Sequence, residues 1–417
     1  MPKKLHRRSA VFRKKKVTFT RVLIGLLVVV GCAGVLAGGY FTAKFSVEGW
    51  PFGGSAVSGG SAAPESVDSK PESQTPSSDP ASVPPEPTPQ TGGLRAFYAP
   101  LSLLRDQAAL DAQLEAAAAA GLNAVLFDLK DQEGHLYYQS ATELAAQSQA
   151  AVADALTLEQ LKSAAGHMRE KGFTAIPRLY AFQDHVGAGN LDTAKITLSG
   201  GLTWYDDNPS AGGKRWLNPY APDAHRYITD MAAELKNMGF TALMLDGVQF
   251  PNQESSADYG SSELTSLSRG QVLQKFVTDL SAAFGDGRVI LSMPGLAGFG
   301  EETKVFGGNP LTFGEAVAAP VLLPSALGSR LSVGETTVDS PAAHPYEAVQ
   351  LAMSQLSLRI QLMEEADRPA VMPWLQAYDY SAQQIRDQIR GVTEVSGDQA
   401  AYILYHPQGA YDFSSLS

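Results

Sequence analysis

A single cysteine, Cys32, occurs in 417 residues, so neither an intrachain disulfide nor a thiolate metal cluster can form. Histidine is scarce as well. The seven present (His6, His135, His167, His185, His225, His344 and His406) show no paired ligand spacing of the H-E-x-x-H kind. No G-x-S-x-G elbow and no phosphate-cradling glycine loop occurs, which removes the common signatures of serine hydrolases and nucleotide-dependent enzymes. Neither a metal nor a cofactor is expected. Positive charge is short too, once its location is considered. The chain has 32 Lys and Arg against 43 Asp and Glu, net −11, yet nine of the cations and none of the acids fall in residues 1–21. The remainder therefore stands at −20. Such a surface repels phosphate backbones, and no nucleic-acid partner is expected.

The segment after the basic tail has no charge at all. From Val22 to Ala43 every residue is uncharged and most are apolar, close to the ~20 residues a helix needs to cross a bilayer. Lysines and arginines crowd its N-terminal side. The positive-inside bias then leaves the N-terminus in the cytoplasm and everything after Lys44 outside, a single-pass cell-membrane protein. A cleaved signal peptide is the rival, although its apolar stretch usually runs only ~7–15 residues. Lipid attachment at Val29-Val30-Gly31-Cys32 is another, but the uncharged run continues for eleven residues past Cys32. Residues 44–93 are rich in Pro, Ser, Gly and acids with little to bury, and read as a disordered spacer.

The folded part spans 94–417. The segments AAAAAGLNAVLFD, MREKGFTAIPRL and LKNMGFTALMLD each place a glycine (Gly121, Gly172, Gly239) at the end of a helical pattern, with a short apolar run just beyond. Glycine suits the left-handed C-cap, and short runs apolar on both faces suit buried parallel strands. Thr157 and Gln160 form a capping-box pattern ahead of one helix. Eight candidate strands can be marked: Arg95–Ala99, Ala124–Leu129, Ala175–Tyr180, Ala242–Asp246, Val289–Met293, Val317–Leu323, Ala370–Leu375 and Ala401–Tyr405. Helical patterns lie between most of them, the weakest link falling between strands five and six. Eight strands alternating with helices predict an α/β fold, a closed (β/α)8 TIM barrel.

Chemistry in such barrels sits at the C-terminal strand ends. Alternation places Asp128 and Lys130 on one face of strand two, Arg178 and Tyr180 on one face of strand three, and Asp246 with Met244 on strand four. Facing inward, Asp128, Arg178 and Asp246 would share one mouth. Two carboxyls there could reach glycosidase separations, ~5–5.5 Å or ~6.5–9.5 Å. Arg178 could hold Asp246 as an anion, fit to be nucleophile or base, with Asp128 or Asp131 as the acid partner. A satisfied salt-bridge network that merely closes the barrel top is the alternative. Trp204, Trp216 and Tyr220 in the loop after strand three, and Trp374 on strand seven, are flat rings suited to sugar faces or, equally, to packing loops. His406 stands just past strand eight and could enter the mouth.

FDLKDQEGHLYY, IPRLYAFQD, the block from GLTW to KNMGF, LDGVQFP and PWLQAYDYSAQQIRDQI together resemble a bacterial family of TIM-barrel domains classed with the glycoside hydrolases. The similarity covers nearly all of 94–417 and makes the chain a divergent member. It implies a carbohydrate substrate class, a polysaccharide or cell-wall glycan. It matches the family's positions to Asp128, Lys130, Asp131, Arg178, Trp216 to Tyr220, and Asp246; Gln376 within PWLQAYDY joins Tyr180 and the rings as a substrate-binding candidate. The chain departs from the family pattern at four places. Gly247 and Gln249 stand where a tyrosine and an arginine are usual. Strand five reads Ser292-Met293-Pro294 and has no carboxylate. Leu323 to Leu327 replaces a Tyr-Pro-Ser-His-Tyr run, and a tryptophan is replaced near Tyr405-His406. Two expectations result. One is a membrane-anchored extracytoplasmic glycoside hydrolase, in which Glu301 or Glu302 could replace the missing strand-five acid. The other is a barrel that keeps the sugar cleft and has lost turnover.

Overall fold

The computed structural model describes residues 93–299, 304–397 and 400–416. The basic tail, the uncharged 22–43 segment, the spacer as far as residue 92, and Glu301 and Glu302 lie outside them. Among the described residues no helix is long and apolar enough to cross a membrane.

Eight parallel strands close on themselves. They are β1 (Arg95–Tyr98), β2 (Ala124–Lys130), β3 (Thr174–Tyr180), β4 (Ala242–Asp246), β5 (Arg288–Pro294), β6 (Val317–Val321), β7 (Trp374–Gln376) and β8 (Tyr402–Tyr405). Each pairs with the next, and β8 returns to β1 with Arg95 opposite Tyr402. The expected strands match these to within one or two residues, with one exception. The seventh is broken: Ala370–Val371 and Trp374–Gln376 pair separately, because Pro373 between them has no N–H for the ladder.

Six long helices cover the outside: α1 (Gln107–Ala119), α2 (Leu158–Glu170), α3 (Pro222–Asn237), α4 (Arg269–Phe284), α5 (Pro345–Gln361) and α6 (Ala382–Ser396). The capping box at α2 is formed, with Gln160 N donating to Thr157 Oγ1 at 3.1 Å and Thr157 N to Gln160 Oε1 at 2.9 Å. Gly121, Gly172 and Gly239 all take positive φ, +77°, +83° and +96°, the conformation that stops a helix without a Cβ clash. Between β5 and β6 the described residues hold two 3₁₀ turns, Ala297–Phe299 and Pro310–Thr312, in place of a long helix.

Alternation along the strands makes two cores. Leu126, Ile176, Met244, Ile290, Ala319 and Ile403 point inward and fill the barrel. Phe97, Phe127, Leu179, Leu243 and Leu291 point outward beneath the helices. Full burial of each large apolar side chain is worth about 1.5–3 kcal/mol. The ring's seam is stitched by one hydroxyl. Tyr411 Oη accepts from the N–H of Tyr98 and of His406, and lies 2.9 Å and 3.0 Å from the carbonyls of Tyr98 and Leu404.

Away from the mouth, at the start of β6, Glu315 is 6% exposed. Burial pushes its pKa up to about 8. Its own N–H and that of Phe313 oppose the shift without reaching hydrogen-bonding geometry, so both carboxyl oxygens lack a partner.

Candidate active site at the barrel mouth

Two residues beyond the inward-facing Leu126, Ile176 and Met244, the strands present Asp128, Arg178 and Asp246. Arg178 donates from Nε to Asp128 Oδ1 at 2.5 Å and from Nη2 to Asp128 Oδ2 at 2.9 Å. Its remaining nitrogen, Nη1, reaches Asp246 Oδ2 at 3.3 Å. The first contact is a bidentate, charge-assisted pair, and the second is longer and weaker. Solvent still reaches the group: the side chains are 10%, 17% and 20% exposed for Arg178, Asp128 and Asp246. Three inward strand tips therefore meet at one end of the barrel, within reach of solvent.

The two carboxyls have different surroundings. Asp128 accepts three hydrogen bonds, the third from Tyr98 Oη at 3.0 Å. Asp246 has the long contact to Arg178 and a 2.8 Å bond from the N–H of Gly247. Burial raises the pKa of Asp246, and Arg178 and the Gly247 N–H only partly offset it. Arg178 therefore holds Asp246 less closely than the sequence reading expects. The guanidinium's paired edge goes to Asp128, and desolvation governs Asp246.

Aromatic rings wall this cluster. The Arg178 guanidinium lies 4.9 Å from the centre of the Trp374 ring, 5.1 Å from Tyr180 and 5.9 Å from Tyr98. Tyr405 meets Tyr98 and Trp374 edge-on at 5.2 Å and 5.5 Å. Burial raises the pKa of Tyr98 and of Tyr180, with nearby carboxylates adding to it, so both remain neutral hydroxyls. Tyr98 and Tyr405 were missed by sequence reasoning. The signal was available: each stands two residues beyond an inward position, Ala96 and Ile403.

Other expected site residues lie elsewhere. The β2 register shifts between Asp128 and Lys130, so strict alternation fails there and Lys130 turns out of the barrel. It is wholly buried, donates to the Tyr180 carbonyl at 2.8 Å, pairs with buried Asp184 at 2.8 Å and approaches the Tyr227 ring on α3. The placement of Lys130 in the mouth is therefore corrected. Asp131 organises the turn just past β2. Its oxygens accept from the N–H groups of Glu133 and His135 and from Tyr137 Oη. Burial works upward on it, but these donors hold its pKa below the ordinary carboxylate value. Trp204 and Trp216 are buried, donating to Ser255 O and Asp206 Oδ2. Tyr220 packs on Phe250 and Tyr259. These three hold the loop after β3 in place. Gln376 is 1% exposed and tethers Ser325 N and the Tyr378 carbonyl. His406 Nδ1 accepts from the N–H groups of Gln408 and Ala410 in its own loop. Among the described residues no group of three or more His, Cys, Asp or Glu could hold a metal.

A closed ring of eight parallel strands, with charged groups gathered at the C-terminal ends, defines a TIM-like (β/α)8 barrel. Residues 96–411 match the sequence profile of the family described as "Putative glycosyl hydrolase domain". The chain belongs to that family. No curated protein matches it. Among solved structures it is similar to a hypothetical protein from Ruminiclostridium thermocellum ATCC 27405, at 20% identity and TM-score 0.40, over 47% of this chain and 96% of that one. It is also similar to a chitobiase from Flavobacterium johnsoniae (10% identity, TM-score 0.47) over 78% of this chain and 47% of that one. An alpha-galactosidase from Thermus thermophilus shows 10% identity and TM-score 0.47, over 79% of this chain and 62% of that one. The chain thus spans less than two thirds of the chitobiase and of the galactosidase. Likeness at this level says nothing about what the chain acts on.

Proposed function

We propose that the protein is a glycoside hydrolase acting on a cell-surface or extracellular glycan, with Asp246 as proton donor and Asp128 as the ionised carboxylate beside it. The observation that carries this reading is Asp246: an accessible mouth carboxyl whose proton affinity is raised by burial. A general acid must carry a proton to give to a leaving-group oxygen, and burial shifts Asp246 toward that form. Asp246 thereby takes the acid role in place of nucleophile or base. Nine cations ahead of an uncharged 22-residue run support a cell-membrane anchor with the N-terminus inside and the barrel outside.

One experiment tests chemistry and placement together. Cells making the full chain are given polysaccharides too large to enter, and released reducing ends are measured. Turnover by intact cells is expected, with Asp246→Asn reducing it by roughly 10²–10⁴-fold. Equal turnover by the Asn variant would remove Asp246 from the mechanism, and turnover only after lysis would remove the outward placement.

A second reading, glycan binding without turnover, is favoured by the engagement of Asp128. Three donors already occupy it, and the inward ends of β5 and β6 offer Ser292 and Val321 where a second free carboxyl could stand. Calorimetry that finds binding and no product would select this reading.

A further inference from the structure

We propose that the barrel mouth selects uncharged glycans and rejects chains bearing carboxylate, sulfate or phosphate groups. This inference rests on the carbohydrate reading above and names the substrate class for the same site.

An anionic sugar needs a cation or a cluster of free donors to replace its hydration. Among the described residues the throat has one cation, Arg178, and all three of its nitrogens already face carboxylates. Lys130, two residues past Asp128, is sealed behind the barrel wall with Asp184. With both carboxyls ionised, the Asp128–Arg178–Asp246 group carries −1; with Asp246 protonated it carries zero. In neither state is it positive.

The loops above the throat reinforce this. Residues 131–157 carry four acids and 247–268 carry three, and neither stretch contains Lys or Arg. Glu133, Glu143, Asp154 and Glu254 are paired with Lys214, Arg226, Arg105 and Arg269, so these loops lack a free cation. The cations of the remaining loops are already engaged. Lys195, Lys214, Lys304 and Arg330 each lie 2.6–3.5 Å from a carboxylate oxygen, and Arg215 bonds His185.

The groups the throat does offer are neutral. Trp374 is 3% exposed and belongs to the inward-facing core, yet its Nε1–H has no partner. Ser292, two residues beyond inward Ile290, is 5% exposed; its Oγ lies close to Asp246 but outside hydrogen-bonding geometry. Buried donors left without partners are uncommon in folded proteins. Sugar hydroxyls and acetamido carbonyls can satisfy both, since they accept a hydrogen bond without bringing a charge.

The test is binding of the full chain to matched oligosaccharide pairs that differ only by a carboxylate or sulfate, at physiological salt. In every pair that binds, the neutral member should be favoured by about tenfold or more, as like-charge juxtaposition demands. Asp128→Asn, which removes the charge of the ionised carboxylate and frees the paired edge of Arg178, should narrow that ratio several-fold, and raised salt should narrow it further. Tighter binding of an acidic member, or a ratio unmoved by Asp128→Asn, would overturn the inference and leave the carbohydrate reading standing. Failure to bind any member of any pair would overturn both.

Discussion

Asp128 and Lys130 stand two residues apart on β2, and each is paired with a partner supplied by β3 or the loop after it. Asp128 meets Arg178 inside the barrel, where the two side chains remain 17% and 10% exposed. Lys130 meets Asp184 outside it, where both are 0% exposed. The outer pair is shaped by glycine: a Cβ on Gly134 or Gly187 would lie 1.8 Å or 2.6 Å from an Asp184 oxygen. The difference teaches what an ion pair is for. A pair cut off from water cannot be rearranged by a ligand and can only hold structure. A pair at a solvent-reached mouth can exchange partners when a ligand arrives.

The largest effect expected from this contrast is structural. Lys130→Ala should leave Asp184 buried and unpaired, lowering stability by about 3–5 kcal/mol. Thermal unfolding of the full chain measures it, and a fall in Tm of less than a few degrees would show the outer pair to be dispensable. Glu315 sharpens the comparison, being a buried carboxyl with no ion-pair or hydrogen-bond partner among the described residues. Its folded pKa lies above its ordinary value of 4.5, so its contribution to stability is complete below that pH and is lost as pH rises through about 8. Tm measured from pH 4 to 9 should decline for the parent relative to Glu315→Gln across that window; parallel curves would contradict the shift. The smallest effect belongs to the mouth. Tyr98→Phe removes one of three donors to Asp128 while two remain, and should cost about 1 kcal/mol. Denaturant midpoints at unchanged slope report it, and a loss above ~3 kcal/mol would mean that the hydroxyl of Tyr98 is essential to the cluster.

The barrel was legible because its signals are local. Short apolar runs, Gly121, Gly172 and Gly239 past helix ends, and the Thr157–Gln160 box each act within a few residues, and the structure realises each. Asp128, Arg178 and Asp246 were legible through strand parity. Parity also explains the error at Lys130, since a register shift after Asp128 carries no mark in the sequence and reverses every side chain beyond it. The loop aromatics were undecidable for another reason. Whether Trp204 and Trp216 face a ligand or their own loop depends on Ser255 and Asp206, their partners at different sequence distances. The unsatisfied state of Glu315 was likewise invisible, because it depends on nearby N–H groups that stop short of hydrogen-bonding geometry.

The Tyr411 hydroxyl that joins the two ends of the ring imposes an order on biogenesis. It meets Tyr98 across 313 residues of chain. During synthesis, β1 is finished long before β8 exists, so its second edge stays unpaired until the final stretch leaves the ribosome. A growing chain of this kind passes through an open sheet with adhesive borders. Stalled or prematurely terminated products would therefore be sticky intermediates, and quality control must deal with them before the cylinder shuts.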